Sequence, residues 1–196
     1  MKKRIIVAVI FVFLALVLAV PAILSVKKYA DAKAASQLVS PFEPYDMVHV
    51  LLYGYDRDTV SGRIMLYARD GSLIANVERS WNADALMLEY AEVSFDQQNY
   101  CFPYRICTNT SGRNRGLRLA SYFLDDKECL LCGQRTGQNI KRQYYAIALY
   151  ASARLLPFFY SQRSIHTVSL SVCTPGTEYE IRFLQDGSTS IMPVAR

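Results

Sequence analysis

The feature that most constrains this chain is a block of 20 residues, Ile5 to Leu24, without one charged or polar side chain. As a helix rising about 1.5 Å per residue it would reach about 30 Å, the thickness of a bilayer's hydrocarbon core. Pro21 is its only interruption, Lys2, Lys3 and Arg4 precede it, and Lys27 and Lys28 follow. The heavier positive charge on the N-terminal side predicts a cytoplasmic N-terminus with everything after the run outside. The expectation is therefore a single-pass protein of the cell membrane that meets the lipid bilayer through residues 5–24 and holds its domain in an extracytoplasmic compartment, periplasmic or extracellular. A cleavable signal peptide shares the basic start, with Val20-Pro21-Ala22 or Ala30-Asp31-Ala32 as its cleavage site. The length of the run and the lysine pair after it favour a retained signal-anchor.

Beyond the anchor, 196 residues leave room for one core of ordinary size. The expected organisation is a signal-anchor over residues 1–26, a stalk over 27–44 and an exported domain over 45–196. Tyr29 to Val39 contains neither Gly nor Pro, so the anchor helix is expected to continue outward until Pro41 and Pro44 end it.

Charge excludes one class of partner. Residues 1–40 hold six basic residues against Asp31, and the rest of the chain holds 16 basic and 16 acidic residues. The formal surplus of +5 thus belongs to the N-terminus, and nucleic acid, which needs concentrated phosphate-neutralising charge, is not an expected partner. With 52% hydrophobic residues the chain has the apolar material for a core and is not a disordered sequence.

After Pro44 the pattern becomes alternating. Met47 to Tyr55 reads as a strand, and Arg63 to Arg69 with Leu73 to Arg79 flank Asp70-Gly71 as a hairpin. Ala85 to Phe95 and Tyr100 to Thr108 form a second hairpin about Asp96–Asn99, and Gly116 to Leu124 is read as a strand. A third hairpin is expected from Ile165 to Cys173 and Tyr179 to Leu184, before a short last strand ending at Val194. One helix stands out, from Gly137 to Leu156, with Ile140, Tyr144, Ile147, Ala148, Ala151 and Leu155 at helical spacing and Pro157 behind it. The fold class is α+β: an N-terminal transmembrane helix, then antiparallel hairpins covered by a single long helix.

The chemistry-bearing residues are few. Cys101, Cys107, Cys129, Cys132 and Cys173 all follow the anchor, where disulfides persist, and the first four are disulfide candidates. On one extended strand Cys101 and Cys107 would stand about 20 Å apart, which favours a bridge from one of them to Cys129 or Cys132. Cys129-Leu130-Leu131-Cys132-Gly133 also has the form of a thiol-disulfide centre, and the four thiols together that of a zinc knuckle. Against these stand the missing helix N-terminus beside the C-x-x-C and the five residues between the first two cysteines. Arg113, Arg115 and Arg118 form an anion-binding or lipid-headgroup candidate, which a planar guanidinium suits. Asn109-Thr110-Ser111 fits a glycosylation triplet, His49 and His166 sit in strands, and Glu89, Glu92, Asp125 and Asp126 read as solvated charges. No G-x-S-x-G, phosphate-binding Gly-Lys-Ser/Thr loop, H-E-x-x-H or calcium loop occurs. The expected function is binding or scaffolding of another envelope protein, with an exported thiol-redox or zinc-binding protein using Cys129 and Cys132 as the alternative.

Overall fold

The structure is a computed structural model that describes residues 2–56, 58–109, 116–153, 162–184 and 186–194, with only the backbone described for 2–18 and Tyr55. Helix α1 runs from Lys2 to Ser36 and passes through Pro21. Its apolar first half falls largely on residues whose side chains lie outside the description. Among the described residues, no helix is long and apolar enough to cross a membrane.

Alternation of apolar and polar residues builds two antiparallel sheets. The first has the order β11-β10-β1-β2-β3, from β1 (Asp46–Asp56), β2 (Thr59–Tyr67), β3 (Leu73–Asn82), β10 (Glu178–Phe183) and β11 (Thr189–Pro193). Val48, Val50 and Leu52 on β1 and Val60, Ile64 and Leu66 on β2 turn the same way and are buried. Between them Gly62 permits a close approach, because a Cβ there would lie 2.8 Å from the Leu51 carbonyl oxygen. The second sheet has the order β6-β5-β4-β9, from β4 (Leu86–Phe95), β5 (Gln98–Thr108), β6 (Leu117–Arg118) and β9 (Arg163–Ser169). Both sheets feed one hydrophobic core. Tyr90 of the second sheet stacks on Phe183 of the first at 4.7 Å, and its hydroxyl donates to the Gly187 carbonyl.

Several expectations are corrected. The β4–β5 turn has two residues, Asp96 and Gln97, both with positive φ as a primed hairpin turn requires, so pairing reaches Phe95 and Gln98. Gly116 to Leu124 is not one strand: after the two residues of β6 the chain forms a single helical turn, α2 (Ala120–Phe123), which buries Phe123. A short ladder of β7 (Leu124–Asp125) and β8 (Glu128–Cys129) follows. The third hairpin does not form. β9 pairs with β4 and β10 pairs with β1, so the segment between them crosses from one sheet to the other. The short last strand, β11, is present and pairs antiparallel with β10.

The long helix, α3, spans Gln138–Ser152 and buries Tyr144, Ile147, Ala148, Tyr150 and Ala151. Ile140, expected on that face, is exposed, and Leu155 lies outside the described residues. What α3 packs against is only partly the sheet. The segment expected to be a stalk contributes Ala32 and Ala35 to the core at 0% and 1% exposure. Ser25, Tyr29, Ala32 and Ser36 form one stripe on α1 at helical spacing, and the small residues let α3 approach closely. Tyr29 meets Phe95 and Tyr150 at ring separations of 6.0 and 5.8 Å. Beyond the helix, Phe42 stacks on Tyr144 at 4.2 Å, and the buried Tyr100 hydroxyl donates to the Val39 carbonyl at 2.6 Å. Tyr29 and Gln162 lie near the C-terminal end of α3, and Ser40 and Phe42 meet Tyr144 in its N-terminal half, so α1 and α3 run antiparallel.

Candidate functional site

The C-x-x-C-G turn, the β2–β3 turn and the start of α3 converge on one groove. Cys129 ends β8 and Cys132 ends a 3-10 turn, Leu130–Cys132, that leads into Gly133. Gly133 has φ +87°, and a Cβ there would lie 2.6 Å from the Asp70 Cγ, so the tight packing and the backbone both call for glycine. Asp70 joins the two turns. Its carboxylate accepts from Ser72 Oγ at 2.6 Å and from the Gln134 amide at 2.8 Å, and these bonds hold its carboxyl below the ordinary range. Thr136 Oγ1 donates to the Cys132 carbonyl at 2.6 Å, and the Arg69 amide donates to the Leu131 carbonyl at 2.9 Å. The resulting open groove has a volume of ≈ 520 Å³, with Arg69, Arg135, Cys132, Ile140 and Tyr144 on one side and Leu38 to Glu43 on the other. It combines two guanidinium groups with the exposed side chains of Leu38 and Ile140. Arg69 reaches Glu43 at 3.6 Å, an exposed pair that contributes little.

No protein-family model, curated protein or solved structure matches this chain.

The five cysteines are free thiols and are scattered. Cys101 donates to the Leu184 carbonyl at 3.9 Å, and Cys107 to Glu89 Oε1 at 3.6 Å, so neither is bridged to Cys129 or Cys132. The four-thiolate cluster is not formed, and among the described residues no three His, Cys, Asp or Glu side chains are grouped to hold a metal ion. Cys129 and Cys132 do meet. Burial pushes the Cys129 thiol well above its ordinary value, and its hydrogen bond and charge interaction with Cys132 push the same way. The activated thiolate of a redox centre needs the opposite, a nearby cation or a helix N-terminus.

The histidines pair with carboxylates. His49 Nδ1 lies 2.7 Å from Glu178 Oε1. His166 Nε2 lies 2.7 Å from Glu92 Oε2, without the alignment of a hydrogen bond, and the ring stacks on Tyr90. Glu92 also stands opposite Cys101 and, after burial itself, is the next cause that lifts that thiol to about 12. A carboxylate beside the thiol opposes a Cys/His nucleophile. Glu89 and Glu92 are thus not solvated charges: Glu89 holds Arg105 through two bonds, Nε to Oε2 at 2.6 Å and Nη2 to Oε1 at 3.1 Å, with both side chains nearly buried. Nothing in the strand pattern marks this pair except the offset of a bulge between Glu89 and Tyr90.

Of the arginine candidates, Arg113 and Arg115 lie outside the described residues, as do Thr110 and Ser111 of the glycosylation triplet. Arg118 is exposed on β6 and lines a second groove with Lys28 of α1.

The buried acids give a pH prediction. Burial raises Cys107 and Cys173 to about 11 from an ordinary 9.0, and Tyr90, Tyr100 and Tyr144 to about 12 from 10.0. A raised folded pKa means that the native state keeps protons the unfolded chain has lost. The associated stability is complete below the unfolded pKa and falls as pH rises toward the folded one. The urea midpoint is expected to hold up to about pH 9 and then decline through about pH 11. Iodoacetamide at pH 8 should label the native thiols far more slowly than the unfolded ones; rapid native labelling of Cys129 and Cys132 would contradict the assignment. Cys129→Ser with Cys132→Ser should lower stability more than it changes any thiol exchange.

Proposed function

We propose that this chain is a single-pass, membrane-anchored envelope protein whose extracytoplasmic domain binds a protein partner and catalyses no reaction. The observation that carries the reading is the continuity of α1. One helix contains the uncharged run Ile5–Leu24 and, about two to three turns later, places Ala32 and Ala35 in the core of the domain. A helix built in this way holds the domain at a set height and orientation over the surface from which it emerges.

The antiparallel packing of α1 and α3 then puts the Arg69–Arg135 groove at the end away from the anchor. Its two cations and its apolar rim of Leu38 and Ile140 fit a partner segment with both acidic and apolar side chains. The test has two parts. Full-length protein should stay with carbonate-washed membranes and lose its domain to protease added from outside; a soluble product beginning near Ile23 or Ala32 would overturn the anchor. From detergent-solubilised membranes the wild type should then retain a partner that Arg135→Glu with Ile140→Asp releases without loss of fold. A second reading, a thiol-redox protein, draws on the contact between Cys129 and Cys132 and on the place of Cys132 in the groove wall. Turnover of a small disulfide that disappears in Cys132→Ser would select it.

A further inference from the structure

We propose that the groove between α1, α2 and the C-terminal half of α3 binds the phosphate headgroup of an anionic phospholipid. The inference rests on the anchored reading, because that reading brings the groove to the bilayer. Lys28 follows the last residue of the uncharged run, Leu24, by one helical turn, about 6 Å along the axis. It therefore stands at headgroup depth when the run lies in hydrocarbon. Across an opening of ≈ 500 Å³ stands Arg118, with Tyr104, Tyr145 and Leu149 also lining the groove. Neither Lys28 nor Arg118 is within ion-pair distance of a carboxylate among the described residues. By contrast Arg105, also beside Tyr104, is neutralised by Glu89. Two cations unpaired among the described residues and two tyrosine rings are groups that suit a phosphodiester with attached acyl chains: charge for the phosphate, N–H donors for its oxygens and an apolar surface for the first methylenes. Free phosphate would use only the first two.

The experiment uses the full-length chain in nanodiscs of phosphatidylcholine with and without phosphatidylglycerol, and native mass spectrometry reads the lipid retained. Wild type should retain phosphatidylglycerol in preference to phosphatidylcholine. Lys28→Gln and Arg118→Gln should each weaken that retention about fivefold, and the double variant should lose the preference. Lys28→Arg with Arg118→Lys, which conserves charge, should keep it, as should Arg142→Gln on the exposed side of α3. Equal retention of both lipids by the wild type, or an unchanged preference in the double variant, overturns the lipid site and leaves the anchor intact. Displacement of the lipid by inorganic phosphate alone overturns the choice of a lipid over a free anion. Failure of the wild type to enter phosphatidylcholine nanodiscs overturns the anchor, and this inference with it.

Discussion

A chain that starts at residue 45 is expected to lose cooperative folding, whereas one that starts at residue 27 keeps it. The segment between them supplies the Tyr29 ring packed on Phe95 and Tyr150, the buried Ala32 and Ala35, and Phe42 stacked on Tyr144. It also supplies the carbonyls of Val39 and Ser40 that accept from Tyr100 and Tyr144. Burying a large apolar side chain contributes about 1.5–3 kcal/mol, and stranding a buried hydroxyl costs about 1–3 kcal/mol. Two aromatics and two hydroxyls therefore approach the roughly 5–15 kcal/mol that holds a whole domain folded. Thermal unfolding followed by circular dichroism, with amide dispersion in an NMR spectrum, distinguishes the two chains. A sharp transition in the shorter one would make residues 27–44 a tether and would remove the rigid coupling between the proposed anchor and the domain.

The second large effect is expected at the centre of α3. Ile147 is fully buried on α3, which packs on α1 and the second sheet, while Arg142 is exposed on the opposite side of the same helix. Ile147→Ala removes buried methylenes and leaves a cavity, at about 2–5 kcal/mol, and should lower the denaturation midpoint strongly. Arg142→Ala should move it by less than about 0.5 kcal/mol. If Ile147→Ala left stability unchanged and abolished retention of a partner, the buried face of α3 would be an interface and not a core element. Two negligible effects would remove the helix itself.

The sequence by itself determined what depends on near neighbours along the chain. The uncharged run of 20 residues, the Asp70-Gly71 hairpin, the alternation of β1 and β4 and the stripe Tyr144-Ile147-Ala148-Ala151 are signals carried by one continuous stretch of chain, and each favours a local conformation or a buried face. The spacing of Ser25, Tyr29, Ala32 and Ser36 was equally present, but small or polar residues on a helix have the same look whether they face water or another helix. Only the packing of α3 on them decides. Tertiary structure alone settled that β9 pairs with β4 while β10 pairs with β1, against the hairpin that adjacency favours. It also settled that Glu89 closes on Arg105, that Cys101 and Cys107 part company with Cys129 and Cys132, and that Lys28 faces Arg118 across 90 residues of chain. The physical reason is the same in each case. Many strands of similar composition compete as pairing partners, with cross-strand pairs differing by only about 0.2–1 kcal/mol. The winner is set by how the whole core closes, through contacts between residues that the chain brings together only after it has folded.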